Sequence, residues 1–133
     1  SKGVTLADGK DVTIVATGLL VQYALEAKDI LAKEGIEARV INIHTIKPID
    51  EEIIIKAAKE TGALVTAEEH NIIGGLGSAV AEVLAENYPV PLKRVGVEDK
   101  FGKSGKPAKL LEMYGLTAEN IVNKAKEAMK MKK

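Results

Sequence analysis

What constrains this chain most is its alternation of extended and helical patterns. VTIVA, Val12–Ala16, is nearly all apolar, as a strand covered on both faces must be. Thr17-Gly18 ends it. Leu20, Tyr23, Ala24, Ala27, Ile30 and Leu31 then recur at three- and four-residue spacing, and Gly35 stops that helix. The same step repeats along the chain. EARVINIHTIKPID supplies a strand around Arg39–Ile43, with Pro48 and Asp50 as turn and N-cap of a short helix reaching Thr61-Gly62. ALVTAEE is a further strand, and the helix after the following glycines buries Ala79, Val80, Val83 and Leu84. LKRVGVE is another, after the breaker Pro89-Val90-Pro91. Helices follow over about Pro107–Tyr114 and from Thr117 onward, the second with Thr117 as N-cap and Ile121, Val122 and Ala125 as its inner stripe. Ahead of all these, VTLADGKDVTIVATG reads as two strands joined in a hairpin at Asp8-Gly9. The fold class is α/β, three layers with helices on both faces of a sheet. No repeat or linker interrupts the pattern, so residues 1–133 are expected to form one domain.

Composition removes several classes of function. Nineteen basic residues cancel nineteen acidic ones, so nothing overall attracts nucleic acid or a membrane surface. The basic end, KAKEAMKMKK, suits a helix C-terminus and holds no aromatic residue on which a base could stack. There are no cysteines, which removes disulfides, thiolate zinc sites and Cys nucleophiles and fits a reducing, cytoplasmic setting. No apolar run approaches the ~20 residues of a membrane helix, and no signal peptide is recognisable. The first residue is Ser1 rather than Met, as an excised piece would show.

Parallel β-α-β units place their strand-to-helix loops along one edge, where ligands of open α/β sheets gather. Here those loops are Thr17-Gly18, His44–Asp50, Glu68–Gly77 and Glu98–Gly105. The richest is AEEHNIIGGLGSAVAEV, Ala67–Val83. Gly74, Gly75, Gly77 and Ser78 sit at a helix N-terminus, where free N–H groups favour an anion. Gly75-Leu76-Gly77 opens a dinucleotide fingerprint, with Glu98 near the acidic offset, but Val80 stands where a small residue is required. The competing reading is that the glycines permit positive φ in a tight turn and close helix–sheet packing. On that reading Gly75 cannot be enlarged without strain.

Glu68 and Glu69 point to opposite faces of their strand and so do not make an acid/base dyad. Glu69 lies where it can hydrogen-bond the backbone amides of a helix start, and His70 can serve as a base or an interface group. A metal site from His44, His70 and a carboxylate is conceivable but lacks helical ligand spacing. KFGKSGKPAKLLEMYG, with four lysines, could cradle a sugar phosphate or be a solvated loop. No nucleophile sits beside a base.

IKPID, TAEEHNIIGGLGSAVAEVL and FGKSGKPAKLLEMYGLTAENIV, in this order and spacing, resemble the C-terminal domain of transketolase over nearly the whole chain. The EEH…GGLGSAV run is also similar to deoxyxylulose-phosphate synthase and the β subunits of 2-oxo acid dehydrogenases. The resemblance implies a five-stranded, mostly parallel sheet with one antiparallel strand, in agreement with the hairpin. It also implies a cytoplasmic transferase of carbohydrate metabolism, in the pentose phosphate pathway. Such an enzyme moves a two-carbon ketol unit between sugar phosphates with thiamine diphosphate and a divalent metal. That family's Gly-Asp-Gly…Asn diphosphate motif is missing, since ADGKD lies in the hairpin turn. The glutamate that activates the cofactor belongs to another domain. The implied role is therefore structural, with no catalytic or cofactor-binding residue in this chain, and its partners are the thiamine-diphosphate-binding domains or subunit within a dimeric or larger homo-oligomer. Glu69, His70, Asn71, Gly74, Gly75, Gly77 and Ser78 then form an inter-domain or inter-subunit contact, or an anion loop. The alternative, from a different class, is a stand-alone nucleotide- or anion-binding regulatory module.

Overall fold

A strand without a polar face belongs at the centre of a sheet, and the computed structural model, which describes residues 2–71, 75–97, 112–113 and 115–133, places β2 (Val12–Ala16) there with all five residues buried. Its neighbours are β3 (Ala38–Asn42) and β4 (Leu64–Asn71), both parallel to it. β5 (Leu92–Val97) continues the parallel set beyond β4. On the far side β1 (Val4–Ala7) runs antiparallel to β3, giving the order β1-β3-β2-β4-β5.

Alternation along the strands sorts the side chains into two cores. Val12, Ile14 and Ala16 face α1 (Leu20–Ala32) and α4 (Ala118–Lys130), with Leu20, Ala24, Ala27 and Leu31 meeting Ile121, Val122, Ala125 and Ala128. Val15, Ile41 and Leu64 face α2 (Glu51–Thr61) and α3 (Leu76–Asn87), where Ile54, Ala57 and Ala58 meet Leu76, Val80, Val83 and Leu84. This is the expected three-layer α/β/α arrangement, mostly parallel with one antiparallel strand. Even the polar residue of the central strand is satisfied: Thr13 Oγ1 lies 2.8 Å from Thr61 Oγ1.

The caps fall where the sequence puts them. Asp50 accepts a hydrogen bond from Ile53 N (3.4 Å), and Thr117 accepts one from Asn120 N (3.2 Å). Gly62 closes α2 in the left-handed conformation, φ 75°.

Two expectations fail. Asp8-Gly9 does not turn a β1–β2 hairpin; β3 lies between the two strands. The segment after β1 wraps round the start of β3, with Gly9 against the Ala38 backbone, Asp11 N donating to Glu37 O at 2.9 Å, and Glu37 N donating to the Asp11 carboxylate at 2.7 Å. Burial explains the choice. β1 is mostly exposed and belongs at an edge, whereas β2 needs a covered neighbour on each side. Crossing one intervening strand requires about 9.6 Å, two strand spacings, within reach of a few extended residues. Ala79, expected on the inner face of α3, is only partly buried. Leu76 takes the inner position at spacing 76, 80, 83, 84. The helix expected over Pro107–Tyr114 falls outside the described residues, apart from 112–113.

Candidate functional site

The two adjacent carboxylates at the end of β4 diverge, as strand geometry requires, and each meets the start of a different helix. Glu68 shares its face of β4 with Leu64 and Thr66, the face that α3 covers. Its side chain is 1% exposed. Leu76 N donates to Glu68 Oε1 and Gly77 N donates to Oε2, each at 2.8 Å. These are the first amides of α3, which have no partner inside the helix. A carboxylate bridging both matches the positive end of the helix dipole. Glu69 turns to the other layer. Its Oε1 sits against Gly18 and accepts a long 3.5 Å hydrogen bond from Leu19 N at the start of α1. The buried cap of α3 is thus Glu68, and Glu69 caps α1 loosely. Sequence alternation showed that the two diverge. Which of them meets α3 depends on which face α3 covers, and the sequence carries no local signal for that.

The glycines divide their roles differently from the expectation. Gly75 has φ −97°, an extended conformation open to any residue, and positive φ occurs instead at Gly18, Gly35, Gly62 and Gly115. Enlarging Gly75 therefore meets no backbone strain, contrary to the expectation. Gly77 is crowded by contact and not by φ. A Cβ there would lie 2.7 Å from Arg94 Cδ and 3.1 Å from Thr66 Oγ1, the second a buried atom with no hydrogen-bond partner among the described residues.

His70 and Asn71 end β4, Asn71 in register with Val97. Their side chains, Gly74, the Glu98–Gly105 loop and the lysine-rich run lie outside the described residues. His44 is exposed, with Nε2 3.3 Å from Asn42 Nδ2. Among the described residues no three His, Asp or Glu side chains converge as metal ligands. Gly75 and Ser78 line a cleft of about 240 Å³ between α3 and the loop before α2, together with Ile46, Lys47, Ile49, Glu51, Ala79, Glu82, Val83 and Glu86.

A second cluster, unannounced by the sequence, fixes the opposite edge. Arg39 on β3 is 7% exposed and binds Asp8 through Nε (2.9 Å) and Glu60 through a terminal nitrogen (2.8 Å). The Gly9 N–H donates to the Asp8 carboxylate at 2.8 Å. That bond first, and then the Arg39 charge, holds the Asp8 carboxyl below its ordinary 3.8. No helix among the described residues is long and apolar enough to cross a membrane.

The family described as the C-terminal domain of transketolase matches residues 1–121. A 6-deoxy-6-sulfo-D-fructose transketolase subunit of Clostridium sp. (strain MSTE9) is 54% identical over 131 residues, which cover 98% of this chain and 41% of that subunit. The 1-deoxy-D-xylulose-5-phosphate synthase of Heliobacterium modesticaldum is 47% identical over 127 residues, 95% of this chain and 20% of that enzyme. Among solved structures, a split gene transketolase described as an inactive β4 tetramer superposes with a TM-score of 0.94 at 55% identity, covering 99% of this chain and 43% of that one. The chain spans less than half the length of each of these relatives.

Proposed function

This chain belongs to the transketolase C-terminal domain family, and from that premise we propose that it is the C-terminal part of a transketolase whose reaction centre is carried by other domains or by a separate subunit. The whole enzyme moves a two-carbon ketol unit between sugar phosphates in cytoplasmic carbohydrate metabolism, in the pentose phosphate pathway. It assembles as a dimer or larger homo-oligomer and uses thiamine diphosphate with a divalent metal. Residues 1–133 are one supporting domain of it. Its loop Glu69, His70, Asn71, Gly74, Gly75, Gly77 and Ser78 touches the thiamine-diphosphate-binding part.

The observation that carries this reading is the occupancy of the α3 start. An incoming diphosphate would seek the Leu76 and Gly77 amides, and Glu68 already holds both. The start of α3 therefore does not fit the diphosphate of thiamine diphosphate: a buried carboxylate faces the anion position. Thiamine diphosphate is the electron sink for the two-carbon unit in the assembled enzyme, and no step of that chemistry is assigned to this chain. The same Glu68 cap weighs against the stand-alone nucleotide-binding alternative.

The test is reconstitution. The chain alone, and then mixed with the complementary thiamine-diphosphate-binding section, is assayed for ketol transfer from a ketose phosphate to an aldose phosphate. Activity only in the mixture is the expected result. Turnover by the purified chain alone, or an inactive mixture in a verified complex, would overturn the proposal. Thermal unfolding with added NAD, ATP or thiamine diphosphate checks the alternative, because a ligand of this chain at 100 times its dissociation constant would raise stability by about 2.7 kcal/mol.

A further inference from the structure

The cleft beside α3 has an apolar floor and an acidic rim. Ile46, Ile49, Ala79 and Val83 line it, and Glu51, Glu82 and Glu86 stand exposed around it, with Lys47 as the single cation. None of the three glutamates has an ion-pair partner among the described residues. Glu82 and Glu86 are four apart on a helix that carries no basic residue, so their mutual repulsion is uncompensated.

The complementary surface is on the same polypeptide. At the end of α4, Met131 is 52% exposed. Lys130, Lys132 and Lys133 around it are exposed and unpaired among the described residues, whereas Lys124 and Lys126 are engaged with Glu127 and Glu34. Within one molecule the two surfaces do not pair: among the described residues none of Lys130, Lys132 and Lys133 meets Glu51, Glu82 or Glu86 in an ion pair. The Lys132 side chain lies beside Gly62, at the C-terminal end of α2, while the cleft runs along α3 from Gly75 to Glu86 and is closed by the loop before α2 and by Glu51 at the start of α2.

We propose that the cleft receives the Met131 end of α4 from a second copy of this chain, the thioether and lysine stems on the apolar floor and the ammonium groups among Glu51, Glu82 and Glu86. The two contacting patches differ, so the contact is head to tail and each copy keeps one free cleft and one free tail. A contact this small is weak and salt-sensitive, because its charges are exposed.

Sedimentation velocity on the full chain over a concentration series tests it. The wild type associates at low salt and dissociates at 1 M salt, where the screening length is about 3 Å. The cleft variant Glu82→Gln/Glu86→Gln and the tail variant Lys130→Gln/Lys132→Gln/Lys133→Gln, each confirmed folded by its melting curve, both raise the dissociation constant by about tenfold or more. An equimolar mixture of the two forms a one-to-one dimer that does not grow, since only the first variant's tail and the second's cleft remain matched. A wild type that stays monomeric throughout would overturn the proposal. So would association unchanged by either variant or by salt, a mixture that does not pair, or cleft substitutions that alter only the binding of the complementary section.

Discussion

Replacing Glu68 by Gln keeps the size and shape of the side chain and changes only what it can accept. In the native protein both carboxylate oxygens take an amide proton at 2.8 Å in a site that is 1% exposed. The glutamine carbonyl can keep one of those bonds, but its NH2 group then faces the other N–H, donor against donor. Losing one charge-assisted bond and stranding a buried amide costs about 2–3 kcal/mol. For 133 residues the unfolding entropy near the midpoint is about 0.28 kcal/mol/K, so the melting temperature should fall by about 7–11 °C. Amide exchange followed by NMR should speed up at Leu76 and Gly77 before other α3 positions. Glu69→Gln is the control: its one 3.5 Å bond is on the surface, and its cost should stay under about 0.5 kcal/mol. Equal shifts for the two variants, or unchanged exchange at Leu76 and Gly77 in Glu68→Gln, would refute the division of labour between these neighbours.

Arg39→Ala removes a buried guanidinium and frees two acids. Because Asp8 and Glu60 are solvent-exposed and rehydrate, the loss should be about 2 kcal/mol by denaturant unfolding, and a change below about 0.5 kcal/mol would contradict the clamp. The folded-state pKa of Asp8 is lowered, so its contribution is fully present above the unfolded value of 3.8 and disappears as pH falls through the folded value. Asp8→Asn should accordingly flatten only the acid limb of the stability profile, leaving the neutral and alkaline slopes unchanged. Gly62→Ala meets no crowding atom closer than 3.7 Å and should cost about 1–2 kcal/mol from left-handed strain alone, with Asn there costing less. Gly77→Ala should destabilise by about 1 kcal/mol through its contact with buried Thr66, the exposed Arg94 side chain swinging aside, whereas Gly75→Ala should change stability by under about 0.5 kcal/mol. Comparing their melting points separates crowding from backbone strain.

Much of the scaffold was legible in the sequence because its signals are local. The three- and four-residue spacing of Leu20, Ala24, Ala27 and Leu31 set the buried stripe of α1, and Asp50, Thr117 and Gly62 marked helix ends through bonds within a few residues. The unbroken apolarity of Val12–Ala16 required a central strand. Divergence of Glu68 and Glu69 followed from strand alternation alone. Other features rest on which distant segments become neighbours, and the tertiary structure decided those. It set β1 against β3 instead of β2, because relative burial overrode the Asp-Gly turn signal. It gave Glu68 to α3 and Glu69 to α1, because α3 covers the Leu64–Thr66–Glu68 face. It crowded Gly77, because Thr66 on β4 and Arg94 on β5 close in on the start of α3, and it enclosed Arg39 between two acids that lie 31 and 21 residues away. Periodicity and capping are written into a few consecutive side chains. Strand order and the burial of charge depend on the minimum for the whole chain, which no short window contains.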